Sequence, residues 1–183
     1  MLLYATGLPD PLPLLLAALV LDLLLGELPA AFRWLPHPVT LAGRAIHWFD
    51  HHLNRERRDD ATRRARGVLT VAALIVGAAA LGTALTIVLH AVRLGWALEA
   101  LLVAVLLAQR SLYDHVAAVR DALNRRGLAG GREAVAHIVG RDPESLDEHG
   151  VARAAIESLV ENFSDGVVAP ALYYALFGLP GIL

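Results

Sequence analysis

The stretch GVLTVAALIVGAAALGTALTIVLH, from Gly67 to His90, contains no acidic residue, no lysine and no arginine. A helix needs about 20 apolar residues to cross a hydrocarbon core roughly 30 Å thick. This run meets that requirement without interruption. Gly77, Ala78, Ala79, Ala80, Gly82 and Ala84 supply the small side chains that let helices approach closely in lipid. Three further apolar segments lie around it, at about residues 12–28, 94–109 and 166–183. In chain order, with Gly67–His90 as the second, the first segment contains Asp22 and the third contains Glu99. The fourth is interrupted by Pro170, Gly178, Pro180 and Gly181. Buried helices of a soluble bundle are the competing reading, and the length of the central run weighs against it. The expected fold is therefore all-α: a polytopic membrane helical protein in one domain, residues 1–183, with about four membrane segments. Two helical loops, at about 30–66 and 110–165, complete it.

Composition agrees. Hydrophobic residues make up 56% of the chain and charged residues 19%, which is apolar for a soluble domain. All 16 basic residues are arginine. The missing lysine excludes a Walker A loop and a Schiff-base nucleophile. The missing cysteine excludes disulfides, thiol catalysis and cysteine-held metal centres. No basic residue precedes the first apolar segment, so a cleaved signal peptide fits poorly. With a net charge of −2, the chain gives no reason to expect a nucleic-acid partner.

The arginines are sharply segregated. Eight lie between Arg33 and Arg66, seven between Arg110 and Arg153, and Arg93 stands alone. By the positive-inside rule both long loops are expected in the cytoplasm and the N-terminus outside. Within the first loop, a helix is expected over about Leu41 to Asn54. Ile46, Phe49 and Leu53 form one stripe, and His47, Asp50, His51 and Asn54 another. His47 and His51, with Asp50 nearby, have a metal-ligand spacing, but no pattern such as His-Glu-x-x-His accompanies them, which favours a wet polar face. Within the second loop, Leu112, Val116, Val119 and Leu123 mark an amphipathic helix. Gly127 and the Gly130-Gly131 pair are expected to punctuate it. A helix over Arg132–Val139 and a turn at Gly140-Arg141-Asp142-Pro143 follow, with Asp142 as helix cap. A third helix is expected over about Glu148 to Glu161.

That last helix carries the densest polar chemistry. Arg153, Glu157 and Glu161 are spaced by four and share a face. Asn162, Ser164 and Asp165 follow where the helix is expected to end, with a sharp turn at Gly166. Crowded carboxylates call for a cation between them, and Mg²⁺ with a phosphate would suit their hard oxygens. A salt-bridged surface face explains the same spacing. Arg141 could clamp a carboxylate or phosphate, or simply flank a cap. Asp22 and Glu99, as acids inside expected spans, are further candidates.

Taken in order, several motifs resemble the adenosylcobinamide-phosphate synthase family of cobalamin biosynthesis, CobD/CbiB. They are Leu21-Asp22-Leu23-Leu24-Leu25-Gly26, His37-Pro38-Val39 with Gly43-Arg44, Arg66-Gly67-Val68-Leu69, and Arg110-Ser111-Leu112 with His115. Ile138-Val139-Gly140-Arg141-Asp142 and the long stretch Val151–Pro170 complete the set. Glu27 stands where the family often has aspartate. The family also continues well past Leu183, so the chain is expected to be an N-terminal portion. The resemblance implies a multi-pass protein of the bacterial inner membrane that joins adenosylcobyric acid to aminopropanol or its phosphate, using ATP and Mg²⁺. It implies catalytic or Mg²⁺-binding roles for Glu157, Glu161 and Asp165. Substrate or phosphate contacts would fall to Arg141, Asp142, Arg153, Asn162, Ser164, His37 and Arg44. Membrane lipid, a second copy of the chain and other cobalamin-pathway enzymes are the further partners implied. Two other classes fit less well: a non-catalytic membrane sensor or regulator of the AmpE-like kind, and a transporter subunit with Asp22 and Glu99 lining its pathway. Neither needs the loop's concentrated acids and arginines.

Overall fold

The computed structural model describes residues 10–26, 38–55, 59–140 and 142–183, with Pro38 by its backbone alone. Its elements are helical, and no strand occurs among the described residues. In chain order they are α1 (Pro11–Leu25), α2 (Pro38–Leu53), α3 (Asp60–His90), α4 (Gly95–Leu106), α5 (Gln109–Val135), α6 (Glu148–Phe163), α7 (Ala169–Phe177) and α8 (Leu179–Ile182). A 3₁₀ turn at Pro143–Ser145 precedes α6, and a π-helical turn at Ser164–Val168 joins α6 to α7.

Helix α3 begins where Asp59 accepts a hydrogen bond from the Thr62 amide at 3.1 Å. Hydrogen bonds donated by the Thr62 side chain and backbone hold the Asp59 carboxyl below its ordinary range. At 31 residues α3 is long and apolar enough to cross a membrane. Val68, Leu69, Ile75 and Val76 are each more than 60% exposed. A soluble bundle would bury such a helix; here its apolar surface faces outward. The stretch Gly95–Val135, which holds α4 and α5, also passes the length and composition test, although it is not one continuous helix. The other two expected spans are shorter. Helix α1 has 15 residues, below the usual 17–25. The fourth segment is not one uninterrupted helix. α7 has 9 residues and ends at Gly178, whose φ of 67° turns the chain into the 4-residue α8.

Two cores organise the described residues. Leu15 and Ala18 of α1 meet Val103 and Ala104 of α4, with Leu107, Tyr174 and Leu179 completing an apolar layer. Leu85 and Leu89 of α3 pack onto it. Of the small residues in α3, Gly82 makes the close approach, against α8, whereas Gly77 faces open space. The second core belongs to a lobe built from α5 and α6. There Val119 and Val135 pack on Val151, Ala154 and Ala155. Gly127, at φ 63°, kinks α5 so that its last turns fold back. The Gly130-Gly131 pair does not punctuate the helix as expected. Both lie buried within it, and a Cβ on Gly131 would meet Leu123 and Val151.

Candidate functional site

The apolar layer and the lobe meet at a seam built from two helix interruptions. Leu107 is extended (φ −94°, ψ 149°), which separates α4 from α5. Pro170 has no amide hydrogen, so it cannot bond back to the Gly166 carbonyl. The Ala108 amide takes that carbonyl instead, at 3.0 Å. In the π turn the Ala169 amide reaches back to the Ser164 carbonyl. A Cβ on Gly166 would sit 3.2 Å from that of Ala108, so glycine permits the approach. The expected end of α6 at Glu161, with a sharp turn at Gly166, is therefore not observed. The helix runs on through the π turn, and Gly166 does not adopt a positive φ.

The end of α1 is fastened to the same seam. Buried Asp22 accepts from the Arg110 amide at 3.2 Å. Arg110 Nη1 donates to the Leu23 carbonyl at 3.2 Å, and its Nε donates to Asp114 at 2.9 Å. Gln109 donates to the Leu19 carbonyl at 3.3 Å. Asp22 thus supplies the first turn of α5 with an acceptor from another helix. At the other end of the layer, buried Glu99 accepts from the Tyr174 hydroxyl at 2.8 Å and lies 3.2 Å from His90 Nε2. Both buried acids hold helices to one another. Arg110, Gln109 and Tyr174 were not among the expected site residues, because no local spacing reveals a partner on a distant helix.

Beside the seam, α6 turns its small residues Ala154, Ala155 and Ser158 inward against α5. Arg153, Glu157 and Glu161 are exposed on its outer side. Asn162, Ser164 and Asp165 are exposed too, the last two on the π turn. The acidic residues so face outward, within about two turns of one helix. Among the described residues, no group of three or more potential ligands is arranged to hold a metal ion.

Ser158 is an unexpected fastener. Its hydroxyl donates to the Ile138 carbonyl at 2.6 Å. Asn162 Nδ2 donates to the Ser158 carbonyl at 2.8 Å and to its hydroxyl at 3.0 Å. The segment leading into Gly140 is thereby tied beside the acidic face. Arg141 and His37 lie outside the described residues. Asp142 caps the 3₁₀ turn by accepting from the Glu144 amide at 3.0 Å, with Pro143 in its first position, as its spacing suggests. Arg44 is exposed on α2, which packs on the start of α3 rather than at the seam. We expect Ser158→Ala to destabilise the protein by about 1–2 kcal/mol, because the Ile138 carbonyl loses its buried donor. Denaturation in detergent would register the loss, together with faster tryptic cleavage after Arg141. Unchanged values of both would show that the tether does not hold.

A family model described as CobD/Cbib protein matches residues 15–183 of this chain. The chain belongs to the CobD/CbiB family. Curated CobD/CbiB relatives agree. It is 53% identical over 171 residues to the cobalamin biosynthesis protein CobD of Rhizobium meliloti, covering 93% of this chain and 52% of that protein. It is 46% identical over 166 residues to the protein of the same name in Brucella melitensis biotype 1, covering 90% and 51%. For the Rhodobacter capsulatus protein, identity is 43% over 169 residues, covering 92% and 53%. The chain spans about half the length of these CobD/CbiB proteins. No solved structure matches it.

Proposed function

We propose that this chain forms the membrane-anchored part of an enzyme of cobalamin biosynthesis that joins adenosylcobyric acid to aminopropanol or its phosphate through an amide bond, with ATP consumed. The observation that carries this reading is the seam. A face of exposed carboxylates and amides, Glu157 to Asp165, stands where a polar lobe meets an apolar layer. The names of the CobD relatives support a role in cobalamin biosynthesis. The outward apolar surface of α3 supports insertion in the bacterial inner membrane, and the arginine distribution supports a cytoplasmic lobe, where ATP is available.

Activation of the corrinoid carboxyl by phosphoryl transfer would place negative charge beside this face. Arg141 and Arg153 are the guanidiniums suited to phosphate or carboxylate oxygens. Glu161 or Asp165 would accept a proton from the incoming ammonium, so that a free amine attacks the acyl phosphate, the acyl C–O bond breaks and inorganic phosphate leaves. Asn162 uses its amide N–H groups on Ser158, which leaves its carbonyl oxygen as the group to meet substrate. Mg²⁺ arriving with ATP would offset phosphate charge. It needs only one or two protein carboxylates, which suits residues that do not converge as a three-ligand cluster. Asp22 and Glu99 are occupied by protein donors, which weighs against a transport pathway through them.

The direct test is complementation of a strain blocked in cobinamide synthesis by the gene that carries this sequence. Growth without added cobinamide is expected. Growth only when cobinamide is supplied, with the protein present in the membrane, would refute the proposal.

A further inference from the structure

Helix α2 has a wide apolar face and packs on the first turns of α3. Between them lies a groove of about 420 Å³. Phe49 and Leu53 line it from α2, Gly67 and Val71 from α3, and Arg63 and Arg66 stand at its α3 side. Asn54 fixes one of these arginines. Its Oδ1 accepts from Arg63 Nε at 3.2 Å, while its Nδ2 donates to Asp50 at 2.9 Å. The Arg63 bond uses Nε, so it does not consume the two Nη nitrogens of the fork.

The depth of this groove follows from α3. The uncharged part of α3 begins at Gly67. At 1.5 Å per residue it covers a hydrocarbon core of about 30 Å. Arg66 therefore sits at the boundary, and Arg63 about one turn beyond it, at the level of lipid headgroups. Because α2 packs there, it lies at the same level. Trp48, with 55% of its surface exposed, projects from α2 and stacks on His52 at 4.5 Å between ring centres. Tryptophan favours this interface. Charge agrees: Arg55 to Arg66 holds six arginines against Glu56, Asp59 and Asp60. Two acids also line the groove. Asp50 is engaged with Asn54, and Asp60 lies in the first turn of α3, where the helix dipole favours it.

We propose that α2 is an interfacial helix and that the groove between α2 and α3 binds an anionic phospholipid of the bilayer surface. The phosphate would meet Arg63 and Arg66, and the upper acyl chain would lie along Phe49, Leu53 and Val71. The proposal rests on the membrane reading of α3.

The test is native mass spectrometry of the chain released from nanodiscs of equal phosphatidylglycerol and phosphatidylcholine. Wild type is expected to retain phosphatidylglycerol preferentially. In Arg63→Gln/Arg66→Gln that preference is expected to fall roughly 25-fold, at about fivefold per arginine. Arg120→Gln/Arg125→Gln, an equal charge loss on α5, should keep it. Equal retention of the two lipids by wild type, or an undiminished preference in the groove variant, overturns the proposal. Displacement of the bound lipid by excess inorganic phosphate or ATP overturns it too, by assigning the groove to a soluble phosphate ligand. Carbonate washing of vesicles tests the underlying reading separately. A chain that resists extraction supports a spanning α3, and one that is stripped off overturns the membrane reading and the lipid site with it.

Discussion

Glu161→Gln and Asp165→Asn are each expected, on the proposed function, to lower the rate of cobinamide formation by at least about 100-fold, with the protein reaching the membrane in normal amount. Removing a general base typically costs 10²–10⁴ in rate, and removing a group that stabilises developing charge costs about 10²–10³. Both substitutions keep side-chain size and remove only the negative charge. Both positions are exposed, and exposed positions usually tolerate change within about 0.5 kcal/mol. A fall in activity would thus report chemistry rather than folding. Glu148 provides the control, being acidic and exposed on the first turn of the same helix. Glu148→Gln should complement normally. If Glu161→Gln and Asp165→Asn also support growth like wild type at equal expression, the acidic face of α6 is an ordinary surface.

Gly82→Ala has the largest expected effect on stability. A Cβ there would lie 2.5 Å from both the Pro180 nitrogen and its Cα, and 2.7 Å from the Leu179 carbonyl carbon. These are backbone atoms, so no rotamer change relieves the clash. α8 would have to lift from α3, and Leu179, fully buried in the apolar core, would move with it. Overpacking costs about 1–3 kcal/mol, and rigid neighbours place this case at about 3. Gly77→Ala on the same helix meets nothing within 4 Å. There the better helix propensity of alanine should be neutral or stabilise by up to about 1 kcal/mol. Unfolding in detergent would separate the two. Identical behaviour of both variants would mean that α8 does not dock on α3 as described.

These cases show which features a sequence discloses. The length of the Gly67–His90 run and the segregation of the arginines are local, and they announce helical, membrane-compatible architecture directly. The cap formed by Asp142 and Pro143 is equally local. The continuation of α6 through Ser164–Val168 was hidden, since Gly166 and Pro170 both read as terminators. What keeps the helix going is the Ala108 amide, which satisfies the carbonyl that Pro170 abandons. No periodicity encodes that partner. Gly130 and Gly131 mislead in the same way, because they let the last turns of α5 pack closely on its earlier turns, and Gly131 also on Val151 of α6, rather than making a turn. For the site, the i,i+4 column of Arg153, Glu157 and Glu161 was legible. The hydroxyl of Ser158 that binds the Ile138 carbonyl was not, since a serine within a helical pattern looks neutral.

The bond from Ala108 to Gly166 carries a mechanical consequence. The chain passes from the apolar layer into the lobe at Ala108 and returns through the π turn around Gly166. One hydrogen bond clasps the outgoing and incoming crossings together. Neither crossing can swing without straining the other, so the lobe is carried on a double pivot. Torque applied to α5 is felt at the turn that bears Ser164 and Asp165.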